Sequence, residues 1–226
     1  TPAAKSGPLM LGLYGTIGFT LSGAKGLNDD SDWGYTSDNS DWGWNDSVHS
    51  TFGLGYSAGA TFGYRVVDNV TETLTGIAPM LSVEFSGKNH KFSNYKALIG
   101  KQEQSIQFRT YFMDLLGGLR FILDPVYVEP GLYVGIPIKD WKYHKIDETA
   151  PLDNEGTLSK KSRKTDFGLY LQIGSLIPVT DNIFIDAGAH MRFGITRTVK
   201  PPTSNTESAN RFFMAFRFGV MTMLEI

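Results

Sequence analysis

The residues best suited to chemistry lie in an acidic stretch between Asn28 and Asp46. This stretch carries six aspartates and three tryptophans but no basic residue, and Asp30 and Asp32 come directly before Trp33. Carboxylates at this density attract basic peptides. The alternative is a solvated loop whose charges aid solubility or pair with a neighbouring loop.

Metal-ligand patterns are weak in this sequence. There is no cysteine, which excludes disulfides and thiolate metal sites. The acidic stretch resembles the start of a calcium loop, but Trp33 stands at the position that needs glycine. No metal-ligand spacing links the four histidines, which are His49, His90, His144 and His190. We therefore expect no metal and no cofactor.

An alternating pattern of apolar residues predicts the frame that carries these loops. From Leu9 to Leu21 every second residue is apolar or glycine, and the residues between them are small or polar. A period of two predicts a β-strand. Seven further segments repeat the pattern, at 52–66, 77–85, 111–123, 126–138, 167–179, 183–195 and 212–226.

Charged residues fall on only one face of these eight segments, although they make up 19% of the chain. A soluble sandwich has polar outer faces, whereas a barrel in lipid turns its apolar face outward. The mean hydropathy of −0.16 fits such a barrel, because half of each strand faces water. The lumen is therefore predicted to hold satisfied ion pairs among Glu84, Asp114, Arg120, Glu129, Asp186, His190, Arg192 and Arg217.

Short and long connections alternate along the chain. Turn-forming residues predict tight turns at 67–70, 124–125 and 180–182. Long links separate them, at 22–51, 86–110, 139–166 and 196–211. We expect the first and third of these long loops to rise from opposite sides of the barrel mouth. A bulge is expected near Gly76, and the fourth strand is expected to start before residue 111.

The fold prediction is a single domain over residues 1–226. It is all-β: a closed antiparallel up-and-down transmembrane β-barrel of eight strands. Outer-membrane barrels have short periplasmic turns and long outer loops. We therefore expect the bacterial outer membrane, with extracellular loops and both termini in the periplasm.

The run from the first strand into the acidic stretch resembles the omptin family of outer-membrane proteases. Gly15-Thr16-Ile17-Gly18-Phe19-Thr20-Leu21-Ser22-Gly23 leads to Asp30-Ser31-Asp32-Trp33, and Ser47-Val48-His49 follows in the same loop. The resemblance covers most of the chain from the family's third strand onward. Omptins have ten strands, so this chain would lack the first hairpin.

The resemblance implies a site that activates water to cleave basic peptides, a general-base mechanism. Asp30 and Asp32 match the family's aspartate pair, and Ser47 and His49 lie near that site by motif. Asp147 matches the aspartate of the family's Asp–His dyad.

The histidine of that dyad is missing by motif. Thr149 stands in its place and cannot act as a general base, and His144, a few residues earlier, is a candidate replacement. Because a catalytic histidine contributes ~10²–10⁴-fold to the rate, a weak or inactive endopeptidase is predicted. The alternatives are a non-catalytic surface barrel (adhesion, lipid contact or membrane integrity) and a narrow channel. The expected partners are outer-membrane lipid and basic peptides or host surface molecules, and not nucleic acid, because the net charge is −2.

Overall fold

The computed structural model describes residues 9–22, 48–68, 71, 73–94, 104–138, 142–147, 154–157, 164–196 and 211–224. The regular structure in these ranges is β1 (Leu9–Ser22), β2 (Val48–Thr51), β3 (Gly53–Tyr64), β4 (Val67–Asp68), β5 (Gly76–Asn94), β6 (Gln104–Leu123), β7 (Val126–Pro137), β8 (Lys142–Asp147), β9 (Asn154–Thr157), β10 (Asp166–Pro178), β11 (Ile183–Gly194) and β12 (Arg211–Leu224). Within them no helix is long and apolar enough to cross a membrane.

Eight of these strands close into a barrel. The antiparallel pairs run in the order β1, β3, β5, β6, β7, β10, β11 and β12, and β12 pairs back with β1. The remaining neighbours of the ring are paired in the same antiparallel way. The predicted closed antiparallel up-and-down barrel of eight strands is confirmed.

The strands are strongly tilted against the barrel axis. A path that starts at Met10 and steps from each residue to its paired residue on the next strand goes once round the ring. It returns to β1 at Thr20, ten residues further along the strand. A stagger of ten residues over eight strands corresponds to a tilt of about 40°. The bore of such a barrel is narrow enough for side chains to fill it.

The outer face of the barrel is apolar and its inner face is charged. On the outside, Leu13, Phe216 and Phe218 expose 71%, 78% and 64% of their surface. On the inside, Asp114 and Arg120 are fully buried. A charged interior with an apolar exterior is the arrangement of a barrel in lipid.

The short connections lie at one end of the barrel. Residues 124 and 125 join β6 to β7, and the link 179–182 is fixed by the Thr180 hydroxyl, which accepts a hydrogen bond from the Ile183 amide at 3.1 Å. The Met223 amide donates to Asn182 at 2.9 Å, which brings the end of β12 to the same side. The turn predicted at 67–70 lies further along, because 67–68 form β4, which pairs with the start of β5.

The bulge expected near Gly76 is not found there. Gly76 is regularly paired on both sides, with β4 and with β6. The change of register lies on the facing strand between Gly63 and Val67, because Gly63 pairs with Met80 and Val67 with Ile77. One extra residue on the β3–β4 side accommodates the bend.

β5 and β6 rise beyond the ring at the long-loop end. β6 starts at Gln104, so the earlier start expected for the fourth strand is confirmed. β2 pairs with the end of β5, β8 pairs with the start of β6, and β9 pairs with β8. We call this five-stranded sheet (β2, β5, β6, β8, β9) the tall wall. It contains parts of both the first and the third loop, so the expectation that these loops stand on opposite sides is wrong for their described parts.

Candidate functional site

The middle of the lumen is built around Arg192. Its guanidinium donates to Asp114 at 2.5 Å and to Glu84, and its Nε donates to His190 Nε2 at 2.6 Å. The Tyr14 hydroxyl donates to Glu84 at 2.8 Å. All five side chains are buried. Arg192 thus offsets part of the negative charge that Glu84 and Asp114 bring into the lumen.

Two further ion pairs lie nearer the short turns. Arg217 Nε donates to Asp186 at 3.1 Å, and Arg120 Nε donates to Glu129 at 2.8 Å. Tyr127 links the two pairs, because its hydroxyl donates to Asp186 at 2.5 Å and its ring lies 3.9 Å below the Arg120 guanidinium. The structure thus places all eight lumen residues named from the sequence in the interior.

Two further lumen residues, Lys88 and Asp166, were not predicted from the sequence. Lys88 Nζ lies 3.0 Å from Asp166 and 3.2 Å from Asp114, and all three side chains are buried. Both residues lie just outside the predicted strands 77–85 and 167–179. Lys88 lies four residues after the inward-facing Glu84, and Asp166 lies four residues before the inward-facing Tyr170. Extending the alternating pattern of each predicted strand by these four residues would have identified both as lumen residues.

The lumen is filled at both ends. At the short-turn end it is closed by a buried apolar cluster of Met10, Ala78, Met80, Ile122, Tyr127, Leu176, Phe184, Met221 and Met223. At the other end the recess lined by Thr20, Lys88, Tyr133, Asp166, Arg192 and Phe213 has no room for a water molecule. This packing is that of a filled eight-stranded barrel rather than an aqueous pore.

Aromatic side chains ring the outside of the barrel at the long-loop end. Neighbouring rings are in contact, with centroids 5.2 Å apart for Phe19 and Phe52 and 5.9 Å for Phe85 and Tyr111. We call this ring the girdle; its members are Phe19, Phe52, Tyr56, Phe85, Tyr111, Phe167, Phe193 and Phe212. On β6 the outward apolar residues run from Phe121 to the girdle, which is a height of about 26 Å at a tilt of about 40°. That height matches the apolar band of outer-membrane barrels.

The candidate catalytic residues are only partly covered by the structure. Asp30, Asp32 and Ser47 lie outside the described residues. The backbone of Asp147 lies in β8, where it pairs with Gln104. Among the described residues, no three His, Asp or Glu side chains are placed to hold one metal ion.

His49 and His144 both lie on the tall wall. His49 pairs with Ser93 in β5, and His144 pairs with Gln107 in β6. Because β5 and β6 stand between them, three strand spacings and an offset of two residues along the strands separate the two backbones by about 16 Å. The tall wall therefore brings one residue of the first loop and one of the third into a single sheet.

No protein-family model matches the chain, and no curated protein matches it. Three solved structures are similar in fold. Neisserial surface protein A is 16% identical, with 95% of this chain and 97% of that chain covered and a TM-score of 0.43. The outer membrane protein OprG from Pseudomonas aeruginosa is 11% identical, with 98% of each chain covered and a TM-score of 0.44. Ail of Yersinia pestis is 9% identical, with 96% and 99% covered and a TM-score of 0.37. These similarities concern the barrel and identify no family for this chain.

Proposed function

We propose that the protein is an integral outer-membrane barrel that displays surface loops and does not conduct. The observation that carries this proposal is the packed lumen, in which Arg192 lies between Glu84 and Asp114. A path for ions would require these buried pairs to separate, and losing one partner of a buried pair costs about 3–5 kcal/mol. The long loops lie outside and both termini in the periplasm, because short turns face the periplasm in such barrels.

Conductance in a planar bilayer tests the sealed lumen. We expect the refolded protein to give no steady single-channel current at neutral pH, while a sixteen-stranded porin in the same bilayer conducts. Discrete, stable openings of the wild-type protein would refute the sealed barrel and favour the narrow channel.

The finer proposal is that the acidic first loop binds basic peptides. Its support is the sequence between Asn28 and Asp46, which holds six aspartates and no basic residue. The fluorescence of Trp33, Trp42 and Trp44 reports binding directly. We expect an Arg/Lys-rich peptide to change this fluorescence, with an affinity that falls as salt rises. A Glu-rich peptide of the same length is the control and should have no effect.

Peptide hydrolysis is the second candidate, with Asp30, Asp32 and Asp147 as the carboxylates. His144 stands three residues from Asp147 in β8, an odd spacing that puts the two positions on opposite faces of the strand, so His144 is not the partner of Asp147. The observation that favours it is the tall wall, which joins β2 of the first loop to β8 of the third through β5 and β6. We expect slow cleavage of Arg/Lys-rich fluorogenic peptides that is lost in Asp32→Ala and kept in Asp38→Ala, the matched control.

The outcome of that assay separates the two classes of function. Cleavage that survives Asp32→Ala contradicts the assigned site. Peptide binding without cleavage leaves a non-catalytic surface role in adhesion, lipid contact or membrane integrity, with host surface molecules as partners.

A further inference from the structure

His190 is a fully buried histidine in the middle of the lumen, and its contact with Arg192 fixes which ring nitrogen carries a proton. The Arg192 Nε–H donates to His190 Nε2 at 2.6 Å. A guanidinium has donors and no acceptor, so Nε2 must be the acceptor of this hydrogen bond. His190 Nε2 therefore carries no proton, and the imidazole is the neutral tautomer with its proton on Nδ1.

The lumen has no place for a second proton on this ring. That proton would put an N–H on Nε2, so two donors and two positive charges would face each other at the hydrogen-bond distance from Arg192. The Nδ1 atom has no hydrogen-bond partner among the described residues. The rings against His190 are uncharged: Tyr170 is stacked on it with centroids 5.7 Å apart, and Phe213 meets it at 6.2 Å. Its paired residue on β10, Gln172, is neutral as well.

The charges around His190 also oppose a second proton. Three cations act on the ring, namely Arg192 of its own strand, Arg217 of β12 and Lys88 of β5. Each carboxylate of the lumen is bound to one of the buried cations: Glu84 and Asp114 to Arg192, Asp186 to Arg217, Glu129 to Arg120, and Asp166 to Lys88. A positive charge on the imidazole would thus be added beside cations, without a carboxylate in contact with the ring.

We propose that His190 is a pH-sensitive switch in the lumen. The neutral ring accepts the hydrogen bond from Arg192 and holds this guanidinium in place between Glu84 and Asp114. When acid adds the second proton, His190 repels Arg192 and the guanidinium leaves that place, so the middle of the lumen loosens. The proposal rests on the sealed lumen proposed above, and on neither peptide binding nor hydrolysis.

Urea unfolding from lipid vesicles at pH 7.5 and pH 5.5 tests the switch. A histidine exposed in the unfolded chain takes up its proton at about pH 6.5. Because the unfolded chain binds this proton and the intact lumen does not, stability falls as the pH falls, by about tenfold in the folded-to-unfolded ratio between these two pH values.

The matched variants isolate the contribution of His190. In His190→Gln the amide oxygen still accepts a hydrogen bond from Arg192, but the side chain does not titrate. We therefore expect the wild type to lose about tenfold more stability than His190→Gln on going from pH 7.5 to pH 5.5. His90→Gln removes a histidine of the tall wall, where residue 90 pairs with Phe108, and should lose as much as the wild type.

The ring nitrogens give a second measurement that does not depend on stability. Replacing His49, His90 and His144 with glutamine leaves His190 as the only histidine of the chain. The nitrogen-15 NMR spectrum of this folded variant at pH 7.5 should show a protonated Nδ1 and an unprotonated Nε2.

Two results would overturn the proposal: the same pH dependence in His190→Gln as in the wild type, or a proton on Nε2 in the folded protein at pH 7.5. If His190→Gln does not fold, the nitrogen spectrum decides alone. A barrel that does not conduct at neutral pH but gives either of these results would disprove the switch while leaving the sealed lumen intact.

Discussion

Replacing Arg192 with methionine is expected to destabilise the barrel by about 3 kcal/mol or more. Methionine keeps an unbranched side chain but removes the cation that Glu84 and Asp114 share. Asp114 keeps Lys88 at 3.2 Å and the Ser86 hydroxyl at 2.7 Å. Glu84 therefore loses its compensating positive charge, while Asp114 keeps one.

A second substitution separates the charge from the packing. Glu84 keeps the hydrogen bond from the neutral Tyr14 hydroxyl at 2.8 Å, which cannot offset a buried negative charge. In Glu84→Gln/Arg192→Met that charge is gone. We expect the double variant to recover at least about 2 kcal/mol relative to Arg192→Met, a strong departure from additivity for neighbours in one network.

Urea unfolding from lipid vesicles measures both values. The electrophoretic shift of unheated protein reports the folded fraction, and the midpoint and slope give the free energy of unfolding. Lys164→Met is the exposed control and should stay within about 0.5 kcal/mol of the wild type. A cost below about 1 kcal/mol for Arg192→Met, or a double variant no more stable than the single one, would show that Glu84 does not depend on the Arg192 cation.

The alternation of lumen-facing and lipid-facing residues along each strand gives two further predictions, both checked by the same urea assay. A Cβ at Gly117 would meet no atom within 4 Å, whereas at Gly118 it would press on the Tyr170 hydroxyl and the Pro130 carbonyl. Gly118→Ala should therefore cost about 1–3 kcal/mol, while Gly117→Ala should be neutral or stabilise by up to about 1 kcal/mol; equal effects would contradict the assigned faces. Leu13→Arg, at a position 71% exposed on the apolar band, should cost about 2–4 kcal/mol in a bilayer; a change within about 0.5 kcal/mol is what a water-facing surface would give.

The barrel could be predicted from the sequence because the membrane requires apolar residues on one face of every strand and the lumen accepts polar residues on the other face of every strand. From Leu9 to Leu21, for example, apolar or glycine positions alternate with small or polar ones, and the structure places this segment in β1. The inward charges, such as Asp186 and Arg217, were identifiable because a charge in a strand with an apolar outer face must point to the lumen.

The tall wall could not be predicted in the same way. At Asn89, Lys91 and Arg109 the outward positions become polar, so the alternation of hydropathy ends while the β5–β6 pairing continues. Backbone hydrogen bonds hold a strand above the membrane without requiring apolar residues. The prediction therefore ended β5 too early, and Lys88 was lost with the missing part of the strand.

The pairing of the loop segments was even harder to predict from the sequence. The pairing of β8 with β6 joins Lys142 to Arg109 across a long sequence separation, and no local pattern reports such a contact. Asp147 was named from a short motif and His144 only because it lies a few residues earlier, and neither observation specifies which strand a loop segment joins.

The depth of residue 218 in a bilayer shows whether the apolar exterior of the barrel faces lipid. Phe218 is 64% exposed and lies near the middle of the outward band on β12. In the sequence, the native tryptophans Trp33, Trp42, Trp44 and Trp141 fall outside the residue ranges of the barrel strands, so each is replaced by phenylalanine. In that background, Phe218→Trp should emit at short wavelength, be quenched by lipids brominated deep in their acyl chains and resist aqueous iodide. Long-wavelength emission that iodide quenches and brominated lipids leave unchanged would contradict the apolar, lipid-facing exterior.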